Sequence, residues 1–274
     1  TAKSPDGRIE VSVDKAGEGL PKYSVSLDGK VFIAPSELGL RTDVAGFGAK
    51  GFVAPQVTTR KVDDVYKIVA GKAASAPDRF NELSLDFVES EGGRKIGLVF
   101  RVYDDGVAFR YVVPKQDAFA TFGIYGERTE FAFAGDYDCW GLNLGKFHNA
   151  HEGEFDPVKA SMIRDHYLLD SPLVCKTGVG EAAFALAESD LDHYPATYYS
   201  RTGDNKLGVA VHLPPRLDSD MIKPYAARFT PDGEVKTPWR VIMVGDSPRR
   251  LVESNLIATL GRPSQIADTS SAES

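Results

Sequence analysis

The densest gathering of side chains able to do chemistry lies between Cys139 and Asp156, which also holds Trp140, His148, His151, Glu152 and Glu154. His148 and His151 are close enough to share a metal, but no third ligand follows at the spacing of a zinc site. The alternating oxygens of Glu152, Glu154 and Asp156 suit a hard cation such as Ca²⁺ better. They lack the glycine-sharpened turn and distal bidentate Glu of an EF-hand, so spacing alone favours a solvated acidic loop. A second group, Glu188, Ser189, Asp190, Asp192 and His193, follows the apolar run Ala183 to Ala187. Carboxylates at a strand end can face a ligand, and equally can close an exposed turn. No Gly-x-Ser-x-Gly elbow is present to expose a serine nucleophile.

Other residues invite weaker readings. Gly46-Phe47-Gly48-Ala49-Lys50-Gly51 has the letters of a dinucleotide fingerprint, but Pro55 would break the helix that must follow, leaving a glycine-rich turn. Arg101 and Arg110 sit in strand-like runs and are expected to pair with Asp104, Asp105 or Glu130 as structural links. Trp140 and Trp239 could stack on a sugar ring, although a core Trp is the commoner case. Gly71-Lys72 and Asn81-Glu82 flank a polar turn and signify nothing by themselves.

The elements that would hold these groups read as strands. Ile9, Val11 and Val13 alternate with polar neighbours, as do Tyr23, Val25 and Leu27 before the Asp28-Gly29 turn. The pattern returns at Leu83 to Phe87, Ile96 to Tyr103 and Val107 to Val113, with Glu91-Gly92-Gly93 and Asp104-Asp105-Gly106 as turns. Later strands are expected at Phe184 to Leu186, Leu207 to Leu213 and Trp239 to Val244. Arg249 to Leu260 fits a helix or a strand equally. Turn signals about every ten residues point to an all-β, antiparallel sandwich. The single domain is expected over 1–268, followed by a small polar tail at 269–274.

The 274 residues carry a net charge of −7 and 42% hydrophobic residues, so a sizeable core is possible. Lysine and arginine form no stripe, which argues against a nucleic-acid partner. No apolar run approaches the roughly 18 residues of a membrane span. The chain opens at Thr1, consistent with a removed signal peptide and a periplasmic or extracellular location. Cys139 and Cys175 could pair in an oxidising compartment or remain two buried thiols.

Several stretches resemble the N-terminal domain of glycoside hydrolase family 97. Ser4-Pro5-Asp6-Gly7-Arg8-Ile9, Pro35-Ser36-Glu37-Leu38-Gly39-Leu40 and Asn81-Glu82-Leu83 match in order. The long run Phe100-Arg101-Val102-Tyr103-Asp104-Asp105-Gly106-Val107-Ala108-Phe109-Arg110-Tyr111 is the most specific, and Thr237-Pro238-Trp239-Arg240 and Ser254-Asn255-Leu256 complete the set.

The resemblance implies a galactose-mutarotase-like super-sandwich that precedes a (β/α)₈ barrel absent from this chain. The barrel of such an exo-acting α-glycosidase carries the catalytic groups, so no catalytic residue is expected here and the isolated chain is expected to be inactive. The resemblance also implies that Glu152 reaches across to a Ca²⁺ at the active site, with Glu154 the lesser candidate, and that Ca²⁺ binds only in the whole enzyme. Glu188 is retained where the family has a His-Glu-Ala-x-Leu motif and, with Asn81 and Glu82, is expected to contact the sugar. Family members have Tyr or Gln before the calcium Glu, where this chain has His151. Gly71-Lys72 looks closer to the form found in retaining α-galactosidase-like members, so an α-galactoside stands beside an α-glucoside as the expected carbohydrate. Two other readings follow from the fold class: a stand-alone carbohydrate-binding module, and a mutarotase-like isomerase using His193 with Glu188 or Glu152.

Overall fold

The structure is a computed structural model that describes residues 1–14, 20–44, 48, 50–203, 206–215, 225–230 and 232–266. The expected tail at 269–274, and part of the Gly46–Gly51 turn, lie outside the described residues.

Three antiparallel sheets share one core. The first runs β1 (Ala2–Lys3), β2 (Ile9–Asp14), β3 (Lys22–Leu27), β4 (Lys30–Glu37), β11 (Glu130–Phe133), β17 (Gly208–His212) and β16 (Tyr198–Arg201). A small sheet orders β18 (Ala227–Phe229), β10 (Phe122–Glu127) and β5 (Leu40–Thr42). The large sheet runs β13 (Asp156–Lys159), β12 (Asp138–Gly141), β14 (Leu173–Lys176), β15 (Ala183–Ser189), β20 (Trp239–Gly245), β9 (Gly106–Val113), β8 (Lys95–Tyr103), β7 (Ser75–Val88) and β6 (Gln56–Lys67). A short β19 (Val235–Lys236) also pairs with β9. The antiparallel sandwich expected from the strand pattern, and the super-sandwich that the resemblance implies, are therefore the observed architecture.

Period-2 alternation puts Ile96, Leu98, Phe100 and Val102 of β8, with Val107, Phe109 and Tyr111 of β9, into the core against Val11, Val25 and Phe131 of the first sheet. Tyr23 anchors that contact, its ring centroid 4.9 Å from Phe109. The central strands of the large sheet are buried on both faces. Ala183, Ala185 and Ala187 face outward, and these small side chains leave room for a second cluster with Trp239, Leu251, Leu256 and Leu260.

Leu251 and Leu256 belong to two short helices, α1 (Pro248–Glu253) and α2 (Leu256–Thr259), so the stretch that fitted helix or strand is helical. Pro248 at the helix start has the fixed φ that favours this outcome. Gly106 permits the close packing: a Cβ there would stand 2.6 Å from the Leu256 methyl and 2.5 Å from the Ile242 carbonyl.

The two edges of the large sheet differ. β6 is almost wholly exposed and carries Arg60, Lys61, Asp63, Asp64 and Lys67. β13 places Pro157 opposite Trp140.

Cys139 of β12 and Cys175 of β14 stand directly opposite each other and are disulfide-bonded, with Cα atoms 4.0 Å apart. The bond spans 36 residues. Loop-closure entropy for that length corresponds to about 4 kcal/mol of stabilisation. Replacing both cysteines by alanine is expected to lower the melting temperature by several degrees and remove its sensitivity to reductant, read by circular dichroism with and without a phosphine.

Candidate functional site

Residues 142–155 leave the end of β12 and return as β13, and they carry Glu152. The loop is fastened from beneath. Leu142 and Leu144 are buried with Leu168 and Tyr198, and Phe147 packs against them. The Phe147 ring also stacks on His212, with centroids 5.4 Å apart and planes 17° from parallel. Asn149 Nδ2 donates to the Leu144 carbonyl at 3.2 Å, and its Oδ1 accepts the His151 backbone N–H at 2.9 Å. His151 adopts a left-handed backbone, φ 57°, and its Nδ1 lies 2.6 Å from Asp170 Oδ2. Glu152 and Glu154 follow as exposed residues.

Glu188 lies in the interior face of β15. Cross-strand register carries it to Arg240, Phe109, Phe100 and Leu83 in turn. Arg240 is fully buried, and its Nη1 donates to Glu188 Oε2 at 2.7 Å. Its other nitrogens reach Glu127, whose side chain is also fully buried. Glu127 accepts further bonds from Tyr194 (2.9 Å) and Thr129 (2.7 Å), and Glu188 Oε1 accepts the Thr197 N–H at 2.9 Å. Burial disfavours the Arg240 charge, but Glu127 and then Glu188 more than offset it, so its pKa is raised. Burial, then the Glu127 charge, pushes Tyr194 far above an ordinary phenol. Glu188 is thus committed to a structural ion pair. It still neighbours the Glu152 loop, because Thr197 precedes Tyr198, whose ring lies 6.1 Å from that of His151.

Asn81 and Glu82 lie elsewhere. Four strand spacings separate β7 from β15, about 19 Å. Glu82 also faces outward while Glu188 faces in. Glu82 is gripped by Arg60 Nη2 at 2.8 Å and Arg101 Nε at 3.0 Å. Its pKa stays low because these guanidiniums outweigh the largest influence, desolvation. Asn81 Nδ2 donates to the Lys3 carbonyl at 2.7 Å, tying β7 to the edge of the first sheet.

Arg101 therefore pairs with Glu82, and Arg110 with Asp190 at 3.2 Å, in place of the expected Asp104, Asp105 or Glu130. The reason is facial. Both arginines project onto the outer side of the sheet, where their guanidiniums lie 4.7 Å and 4.1 Å from the Trp239 ring centre. Trp239 is buried in that stack, whereas Trp140 is half-buried. His193 is 89% exposed and meets Asp192 at 3.5 Å. It is not paired with the enclosed Glu188 carboxylate. Among the described residues no group of three or more His, Cys, Asp or Glu gathers as a metal site.

Sequence reading missed Glu127, Arg240 and Asp170 as anchors. Arg240 left a trace, as a lone cation in the apolar run Trp239 to Val244, which demands a buried partner. Asp170 left none.

The family profile described as Glycosyl-hydrolase 97 N-terminal matches residues 2–263. The chain belongs to this family. A probable retaining alpha-galactosidase of Streptomyces bingchenggensis is 31% identical over 267 residues, 97% of this chain and 38% of that protein. A retaining alpha-galactosidase of Bacteroides thetaiotaomicron is 25% identical, over 98% of this chain and 42% of its own length. Among solved structures, a glycoside hydrolase family 97 enzyme from Pseudoalteromonas sp. strain K8 in complex with acarbose superposes with a TM-score of 0.85 at 25% identity, covering 98% of this chain and 39% of its own. A beta-arabinopyranosidase gives 0.74 at 28% identity, covering 90% of this chain and 40% of its own. This glycoside hydrolase family 97 domain thus spans about two fifths of the length of the relatives it matches.

Two outcomes are expected from the site's electrostatics. Arg240→Met leaves Glu127 and Glu188 without their cation and should cost about 3–5 kcal/mol in urea unfolding. Burial first, then the Arg41 charge, holds His212 below the ordinary histidine value of 6.5. As pH falls the unfolded chain takes this proton first, so the stability His212 contributes is complete above 6.5 and lost as pH drops towards its folded pKa. Urea midpoints measured across this range should fall with pH in the parent and flatten in His212→Gln.

Proposed function

We propose that this chain acts as the N-terminal domain of an exo-acting α-glycosidase, shaping the rim of an active site that a separate catalytic barrel completes. Glu152 supplies one carboxylate there to a shared Ca²⁺ and substrate site. The observation that carries this reading is the family match along residues 2–263. The names of the two curated relatives favour a terminal α-galactoside as substrate, and the acarbose complex keeps α-glucosides in view. The disulfide suits the periplasm or cell exterior.

Glu152 fits a calcium role chemically, as an exposed oxygen ligand on a loop pinned at its base. Calcium takes roughly six to eight oxygens, so Glu152 alone holds it weakly and the other ligands come from the barrel. When bound, the ion would orient sugar hydroxyls and favour ionised carboxyls around it. The domain's own work is to place the Glu152 carboxylate and to wall the site on one side.

The test uses the full-length protein. Glu152→Gln should lower both calcium affinity and kcat/KM for 4-nitrophenyl α-galactopyranoside by about tenfold or more, with Glu154→Gln close to the parent. Unchanged calcium affinity and activity in Glu152→Gln would remove the assignment.

A further inference from the structure

His151 and Asp170 form a polar pair on this loop that apolar anchoring does not require. Asp170 is fixed on both sides, its N–H donating to the Leu142 carbonyl at 2.8 Å and its Oδ1 accepting the Ser171 N–H at 2.9 Å. Its remaining oxygen meets His151 Nδ1 at 2.6 Å. The His151 backbone is itself locked by Asn149 in a left-handed conformation uncommon for a residue with a Cβ. A carboxylate on Nδ1 selects the tautomer whose Nδ1–H points at it and whose Nε2 keeps a lone pair. No partner for Nε2 is found among the described residues, and the side chain is 40% exposed.

We propose that His151, oriented by Asp170, is a substrate-contacting residue whose Nε2 accepts a hydrogen bond from one hydroxyl of the terminal sugar held beside Glu152. Asp170 is then a positioning residue. The inference rests on the placement of Glu152 argued above. A bland role as a loop pin is a poor explanation, because exposed ion pairs stabilise little and the Leu142, Leu144 and Phe147 contacts already hold the loop. A pre-aimed acceptor loses little side-chain freedom on binding. It also discriminates against a sugar lacking the matching hydroxyl.

In the full-length enzyme, His151→Ala should raise KM for 4-nitrophenyl α-galactopyranoside by about tenfold and weaken galactose binding in calorimetry to match. Its kcat should stay within about twofold and its melting temperature should not move. His151→Gln, which keeps an acceptor, should recover most of the loss. Among the 2-, 3-, 4- and 6-deoxygalactosides, the parent should be impaired by one that His151→Ala tolerates as well as the parent sugar. If His151→Ala lowers the melting temperature and moves every deoxy substrate equally, the residue is only an anchor and the inference fails. If Glu152→Gln is impaired while His151→Ala matches the parent, this inference falls alone. If Glu152→Gln is also silent, both readings fall together.

Discussion

Burying Arg240 together with Glu127 is the commitment on which the rest of the sandwich depends. Both side chains are wholly enclosed, so the desolvation each suffers must be met by bonds inside the protein. Those bonds come from two of the sheets and from the connections between strands. Glu127 ends a strand of the small sheet, Arg240 and Glu188 belong to the large one, and Tyr194 and Thr197 arrive from the connection after β15. The chain of donors extends further. Gly39 N–H bonds to Tyr111 OH at 2.8 Å, Tyr111 OH lies 2.7 Å from Thr129 Oγ1, and Thr129 donates to Glu127. A shift of the small sheet against the large one would leave a buried charge short of a partner, so the network ties those two sheets to each other.

That fixed placement reaches the candidate site. Thr197, bonded to Glu188, leads directly into Tyr198, which closes the apolar cluster beneath the Glu152 loop. The loop is irregular, yet its base stands on strands whose spacing is set by the buried ions. Functional groups on loops gain their precision from such scaffolds. The outer face of the large sheet is organised by different means, with Arg101 and Arg110 over Trp239 and carboxylates at the rim. Asn81 and Glu82 serve there and at the neighbouring edge, remote from Glu188.

Much of this was legible in the residues themselves. Strands such as Ile9–Asp14 and Lys95–Tyr103 have one side chain in two facing the core, and that period survives in the sequence. Helices α1 and α2 were ambiguous because their branched residues suit either state and the outer alanines that receive them lie more than sixty positions away. The Cys139–Cys175 bond depended on a strand register that spacing does not reveal. At the candidate site, the residues alone showed an exposed acidic loop, and only the resemblance singled out Glu152 within it. The loop's anchors could not be picked out, since Asp170, Tyr198 and His212 come from separate segments and reveal their roles only once β12, β16 and β17 are in place. Arg110 was misassigned for a similar reason. Asp104 is nearer in sequence, but Asp190 is on the correct face.

The two margins of the large sheet carry a consequence for how the domain can be joined to anything else. β6 studs its outer margin with charges of both signs, and β13 puts the ring of Pro157 where a backbone donor would stand. Continuation of the sheet into a neighbouring strand is discouraged on both sides. A body packing along this sheet would then be recognised by side chains, through faces and loop ends, and not through a shared ladder of peptide bonds. Such a seam can slide or be redesigned one residue at a time. The sandwich could therefore be retained unchanged while whatever packs against its faces diverges.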